Sequence, residues 1–153
     1  MRKNFGAKAI LYPMPVLIIG TYDENGKANA MNAAWGMISD TDKVTICLDK
    51  KHKTVKNIKA RKAFTISIAD ADHVVQADYF GVTSGNKVAN KFEKSGLTAG
   101  KSEIVDAPVI NEFPLCLECE FIEYQDNEYE AQYARKVQKV KRVITVEEWE
   151  EIE

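Results

Sequence analysis

Short runs of apolar residues, separated by polar turns, predict a mainly β protein. Four segments carry apolar runs or period-two alternation and are expected to be strands: 16–22, 43–49, 63–69 and 115–124. A fifth strand of smaller residues, 27–34, follows the turn Asp23-Glu24-Asn25-Gly26, whose Asn-Gly pair suits a hairpin. The chain is therefore expected to open with a β-hairpin.

Three helices are expected between these strands. The first begins at Thr54, which can act as its N-cap, and buries Val55, Ile58 and Ala60. The second runs over about 70–78 from an acidic start, and the third over 87–94.

The remaining segments are less regular. A loop is expected at 79–86, an irregular stretch at 98–108 and a turn at 125–128. Residues 135–142 fit a strand or a helix, and the acidic end 147–153 fits one or two helical turns.

These elements predict one domain spanning residues 1–153. The chain has no repeat and no low-complexity linker, and its length is that of a single domain. Short antiparallel strands with two or three intervening helices predict a closed or nearly closed β-barrel with helices at its rim.

Charge and hydropathy exclude several classes of protein. The formal net charge of −2 argues against a general nucleic-acid binder. No apolar run approaches the roughly 20 residues that a membrane span needs, and the first six residues lack a signal-peptide core. The expected compartment is therefore the cytoplasm, with no membrane partner.

The three cysteines do not form a convincing metal or disulfide framework. Cys116 and Cys119 spell C-x-x-C, but the alternation of 115–121 directs them to opposite faces of a strand. With Cys47 the count is odd, which fits reduced thiols. No metal ligand set is predicted.

The segment 29–35 has an unusual composition. It combines two amides and a tryptophan with small residues and has no acid, base or nucleophile. Small side chains let a flat ligand approach the backbone, and amides can bond to a neutral ring edge, so the segment fits the wall of a cofactor pocket. It also fits an ordinary hairpin strand, and Trp35 fits either a ring-stacking position or the core or an interface.

The most basic part of the chain is 50–62, with seven lysine or arginine residues. Between Lys50 and Thr54 a strand end, a hydroxyl and a helix N-terminus coincide with several lysines, which predicts a phosphate site. The alternative is a solvated basic helix face.

An ordered set of motifs resembles the flavin reductase-like family of FMN-binding split barrels, which includes the flavoredoxins. The resemblance covers about residues 10–124. Its motifs are Asn29-Ala30-Met31-Asn32-Ala33-Ala34-Trp35, Lys51-His52-Lys53-Thr54-Val55-Lys56-Asn57-Ile58, Asp78-Tyr79-Phe80-Gly81-Val82-Thr83-Ser84-Gly85 with Lys91-Phe92, Ala107-Pro108, and Pro114-Leu115-Cys116-Leu117-Glu118-Cys119. The segment 125–153 is atypical, since it lacks the glycine-containing strand common in the family.

The resemblance implies a six-stranded antiparallel Greek-key split β-barrel, a homodimer, and FMN bound near the subunit interface. The isoalloxazine would be lined by Asn29, Ala30, Met31, Asn32, Ala33 and Ala34. The phosphate would be held by Lys51, His52, Lys53 and Thr54. The pocket would be completed by Ser84, Gly85, Asn86 and Lys91.

The implied activity is that of an oxidoreductase passing electrons from NAD(P)H through FMN to a second flavin, a ferric chelate or a redox partner protein. Flavin carries such chemistry itself, so no catalytic side chain is required. His73 is the one other candidate proton handler, against the alternative of a solvated surface histidine. Two rival functions remain: a non-enzymatic FMN electron carrier, and a dimeric barrel that has lost flavin binding.

Overall fold

A computed structural model of the chain describes residues 4, 6, 8, 10–126 and 133–145, with the backbone alone for 126 and 133–145. The strands in these parts are β1 (Leu17–Tyr22), β2 (Ala28–Ala33), β3 (Gly36–Asp40), β4 (Lys43–Asp49), β5 (Ala63–Ile68), β6 (Ala99–Lys101), β7 (Pro108–Ile110), β8 (Leu115–Asp126) and β9 (Tyr133–Thr145). The helices are α1 (Lys53–Arg61), α2 (Val74–Val82) and α3 (Lys91–Lys94).

Seven strands form one antiparallel sheet in the order β2-β1-β5-β8-β9-β4-β3, and β6 pairs with β7 in a separate hairpin. The predicted mainly β, antiparallel class is confirmed. A closed six-stranded barrel is not confirmed, because the hydrogen-bonded sheet is open, with β2 and β3 as its ends. These ends are close along the chain, since only Ala34 and Trp35 separate them.

Two hydrophobic clusters hold the sheet and helices together. One packs α1 against the sheet through Val55 and Ile58, which lie with Ile19, Ile46 and Phe64. The other places Phe80 of α2 and Phe92 of α3 against Ile18 and Ala30 of the β1–β2 hairpin. Burial of the aromatic rings therefore fixes α2 and α3 beside β2.

Most predicted strands and the first helix are confirmed within two residues of their ends. The predicted loop 79–86 is wrong in its first half, because α2 continues to Val82 and Phe80 packs in the core. The third helix is shorter than predicted, at Lys91–Lys94. Strand β3 was not predicted. The β6–β7 hairpin was not predicted either, and most of it lies in the stretch 98–108, which the sequence predicts to be irregular.

The choice of strand or helix in the tail is resolved in favour of a strand. Strand β9 pairs with β8 on one side and with β4 on the other, so it joins the two halves of the sheet. The predicted turn at 125–128 is wrong in its first half, because β8 continues to Asp126. Residues 127–128 and the acidic end 147–153 lie outside the described residues.

No helix of the described residues is long and apolar enough to cross a bilayer. Cys116 and Cys119 are buried, and Cys47 is partly buried. Burial raises the pKa of Cys119, so this cysteine is held as a neutral thiol in the core.

Candidate functional site

A cavity of about 210 Å³ lies where strand β2, the start of α1 and the end of α2 meet. The structure brings together ten of the predicted site residues in its lining: Asn29, Met31, Asn32, His52, Lys53, Thr54, Ser84, Gly85, Asn86 and Lys91. The ring-facing and phosphate-facing segments of the sequence prediction therefore border the same space.

Four other predicted residues lie outside this cavity. Ala30 and Ala33 are buried in the two hydrophobic clusters, whereas Ala34 is exposed. Lys51 is also exposed, and its carbonyl oxygen accepts a hydrogen bond of 3.0 Å from Asn86 Nδ2. Lys51 thus contacts a lining residue through its backbone.

Neither Trp35 nor His73 lines the cavity. Trp35 is 49% exposed, so its predicted core alternative is wrong. The imidazole Nδ1 of His73 lies 2.7 Å from Asp70 Oδ1, and this hydrogen bond lowers the pKa of the Asp70 carboxyl. His73 therefore belongs to a local pair at the start of α2.

Four lining residues were missed by the sequence interpretation: Phe80, Gly81, Val82 and Thr83. The two glycines and two hydroxyls of 79–86 predict a loop, and a loop prediction assigns no helical face to the segment. The aromatic pair Tyr79-Phe80 directly before Gly81 was the available signal, because a buried aromatic residue would anchor a helix there.

The start of α1 is tied to β2 by a buried hydrogen bond. Asn29 Nδ2 donates to Thr54 Oγ1 over 3.1 Å, and both residues are buried. The prediction that Thr54 is the N-cap is wrong, because the N-cap is His52 and no side chain caps the helix. Ala60 is exposed, while Asn57 takes a buried position. At the start of α1 the Val55 amide donates to the His52 carbonyl oxygen over 3.0 Å, so the two preceding amides, of Lys53 and Thr54, are the ones without an acceptor within the helix.

Two glycines allow the α2 end to approach β2 closely. A Cβ on Gly81 would come within 2.7 Å of Asn32 Nδ2, and a Cβ on Gly85 would collide with Asn29 Oδ1. Asn32 Oδ1 is buried and has no hydrogen-bond partner among the described residues. This orphaned acceptor on the cavity wall is suited to a donor on a bound molecule.

Lys53 is held at the cavity by an ion pair with Asp23. Its Nζ donates to Asp23 Oδ2 over 3.0 Å, and Asp23 Oδ1 also accepts from the backbone N–H groups of Asn25 and Lys27. Burial alone would raise the pKa of Asp23, but these hydrogen bonds lower it. The Lys53 ammonium keeps further donors for a ligand.

Lys91 is a second cation in the lining and is only 2% exposed. Its Nζ donates to the carbonyl oxygen of Phe80 over 2.7 Å, and burial lowers its pKa to about 8. The described lining contains no carboxylate. Two lysines and a helix N-terminus therefore give the cavity a positive potential.

The antiparallel sheet carries a cationic, amide-lined cavity beside its end strand β2, an arrangement suited to binding an anionic ligand. Residues 9–148 match the flavin reductase like domain. The chain therefore belongs to the flavin reductase-like domain family, as the sequence resemblance predicted.

Solved structures agree with this assignment. Flavoredoxin of Desulfovibrio vulgaris (Miyazaki F) is 35% identical and superposes with a TM-score of 0.87 over 96% of this chain and 78% of that chain. Flavoredoxin from Methanosarcina acetivorans is 25% identical, with a TM-score of 0.83 over 96% and 76% of the two chains.

An uncharacterized protein of Aeropyrum pernix is 26% identical over 116 residues, which are 74% of this chain. The chain spans 44% of the length of that relative.

Replacing Gly85 with Ala should weaken the binding of every flavin by roughly tenfold or more. The added methyl group would collide with Asn29 and press the loop away from β2, which is an overpacking effect of about 1–3 kcal/mol. Titration of FMN and riboflavin by fluorescence quenching measures the loss, and the melting temperature checks that the fold is retained. Unchanged affinity in a folded variant would contradict this placement of Gly85.

Proposed function

We propose that this protein is an FMN-binding oxidoreductase that passes electrons from NAD(P)H through flavin to an acceptor. The observation that carries the proposal is the convergence of Lys53, Lys91 and the α1 N-terminus with the amides of Asn29 and Asn32 in one cavity. These groups match the two chemical parts of FMN, an anionic phosphate and a neutral heteroaromatic ring.

The residues present fit this cofactor on three observations. The orphaned Asn32 Oδ1 offers an acceptor to a ring N–H, and the close approach at Gly81 leaves the ring side of the cavity without a blocking Cβ. The backbone amides of Lys53 and Thr54 at the start of α1, together with the Lys53 ammonium, offer donors to a phosphate. His52 and Thr54 line the same end, and Ser84 and Asn86 border it from the α2 side.

When bound, flavin supplies the hydride and electron chemistry. The protein's own contribution is to bind and orient the cofactor. Asn29 is fixed by its bond to Thr54, and Lys53 is fixed by Asp23, so both donors are preorganised. Lys91 places a positive charge in the cavity, which favours negative charge developing on a ligand.

The visible spectrum of the purified protein, with and without added FMN, tests cofactor binding. Stopped-flow mixing with NADH or NADPH then tests the reaction, and bleaching of the flavin absorbance supports the enzyme. Reduction only by dithionite or a protein donor would indicate the carrier function instead. A protein that stays colourless after FMN is supplied would contradict flavin binding altogether.

We also infer that the protein is a homodimer in the cytoplasm. Strand β3 ends the sheet and exposes Met37 and Ile38, next to the half-exposed Trp35, and such an apolar edge favours pairing with another subunit. Sedimentation analysis at several protein concentrations tests this proposal. A monomer at micromolar concentration would contradict it.

A further inference from the structure

The cavity that would hold the flavin opens to solvent between the start of α1 and the end of α2. Among its lining residues, His52 on the α1 side and Val82, Ser84 and Asn86 on the α2 side are exposed. A hydrogen bond of 3.0 Å from Asn86 Nδ2 to the Lys51 carbonyl oxygen joins the two sides. A macromolecule that approaches a ligand in the cavity therefore meets groups from both sides of this opening.

Three exposed lysines lie next to lining residues and form what we call the lysine rim. Lys50 and Lys51 directly precede His52, and Lys87 lies in the loop after α2. None of the three forms an ion pair among the residues with described side chains. The neighbouring acid, Asp49, accepts a hydrogen bond of 2.8 Å from the backbone N–H of Lys51. One carboxylate against three ammonium groups leaves the rim with a net positive charge.

The end of α2 adds an apolar surface to the same opening. Val82 lines the cavity and is 75% exposed, and Val75 is exposed to the same extent. Residues seven positions apart lie on one face of a helix, so Val75 and Val82 form a valine stripe along α2, with the exposed Asp78 between them. Exposed apolar side chains beside a polar rim are typical of protein interaction sites.

This combination of charge and apolar surface suits a transient complex with another protein. Complexes of electron carriers bury little surface, and complementary charge raises their rate of association. The lysine rim favours a partner with an acidic surface, and the valine stripe offers that partner an apolar contact. A nucleic acid or a membrane would gain nothing from lying beside a redox cofactor, so the position favours a carrier protein.

We propose that the lysine rim and the valine stripe form the docking surface for an acidic one-electron carrier protein. This inference rests on the proposed function and names the class of its electron acceptor. For each NAD(P)H oxidised, two carrier molecules each gain one electron in successive encounters, and one proton passes to water. The docked carrier covers the opening, which places its own cofactor beside the ligand in the cavity.

Calorimetric titration of the whole protein with an acidic plant-type ferredoxin, with and without added FMN, tests the proposal. Binding is expected to weaken by roughly tenfold or more between about 20 and about 200 mM NaCl, because salt screens exposed charges. The basic cytochrome c should not bind under the same conditions. The charge dependence should also be present without FMN, since the surface belongs to the chain itself.

Two double variants test the lysine rim. Lys50→Glu with Lys87→Glu reverses two rim charges outside the cavity and should weaken ferredoxin binding by about tenfold or more. Lys94→Glu with Lys101→Glu makes the same change in net charge at two exposed lysines away from the rim and should weaken it much less. The melting temperature of each variant checks that the fold is retained.

The outcomes separate this proposal from the proposed function. FMN binding without ferredoxin binding would overturn the docking surface and leave the flavin proposal standing. Equal losses in the two double variants would also overturn the docking surface. Binding to phosphatidylglycerol vesicles through Lys50 and Lys87, without ferredoxin binding, would identify a membrane contact instead. Ferredoxin binding by a protein that takes up no flavin would overturn both the proposed function and the redox role of this surface.

Discussion

Lys53→Met is expected to weaken FMN binding by roughly 10- to 100-fold while changing riboflavin binding much less. A hydrogen bond to a charged group contributes about 1.5–3 kcal/mol, and only FMN carries the phosphate that Lys53 would contact. Fluorescence titration of both flavins measures the effect as a ratio of dissociation constants.

The ratio separates the phosphate contact from general damage to the cavity. Losing Lys53 leaves the buried Asp23 carboxylate without its ion-pair partner, but both flavins would meet the same disturbed wall. Lys59→Met is the matched control, because Lys59 lies on the same helix with its Nζ 3.7 Å from the Tyr124 ring centroid and does not line the cavity. Equal losses of FMN and riboflavin would refute the phosphate assignment.

The strands and the anion-binding end of the site were accessible from sequence because both depend on local pattern. Alternation located β4 and β5, and the basic run located the start of α1. Such features need only the order of residues along one element. The resemblance then joined segments that lie far apart along the chain.

The choice of lining residues within β2 was not accessible in the same way. Consecutive residues of a strand point to opposite faces of the sheet. Asn29, Met31 and Asn32 nevertheless all border the cavity, because β2 is an end strand of the sheet. Ala30 and Ala33 instead meet the two hydrophobic clusters. Which residue faces which neighbour depends on where α1 and α2 pack, and no pattern within β2 encodes that.

The long-range charge pairing was also hidden from the sequence. The sequence predicts a turn at Asp23, whereas its contact with Lys53 joins residues 30 positions apart. The pair matters for function because it fixes one cation of the cavity and leaves Lys91 as the cation without a carboxylate partner among the residues with described side chains. Lys91 therefore reports the electrostatics of the cavity most directly.

Protein stability is expected to rise by about 3 kcal/mol between pH 8 and pH 10.5 through Lys91 alone. Burial lowers the pKa of Lys91 to about 8 in the folded protein, whereas its ordinary value is 10.5. Between these values the unfolded chain holds the proton that the folded chain has released, so raising the pH favours folding. Below pH 8 both states are protonated, and the buried charge carries its full cost.

Urea unfolding of the wild type and Lys91→Met at pH 7, 8, 9 and 10 measures this contribution as a difference. The variant keeps an unbranched side chain among Phe80 and Phe92 but has no proton to lose at this position. The other titrating groups are the same in both proteins, so their contributions to the free energy of unfolding cancel in the difference. The wild type should gain stability relative to the variant as the pH rises. A constant difference would show that Lys91 is solvated in the folded protein. Bound FMN should flatten the rise, because a nearby anion restores the lysine pKa towards its ordinary value.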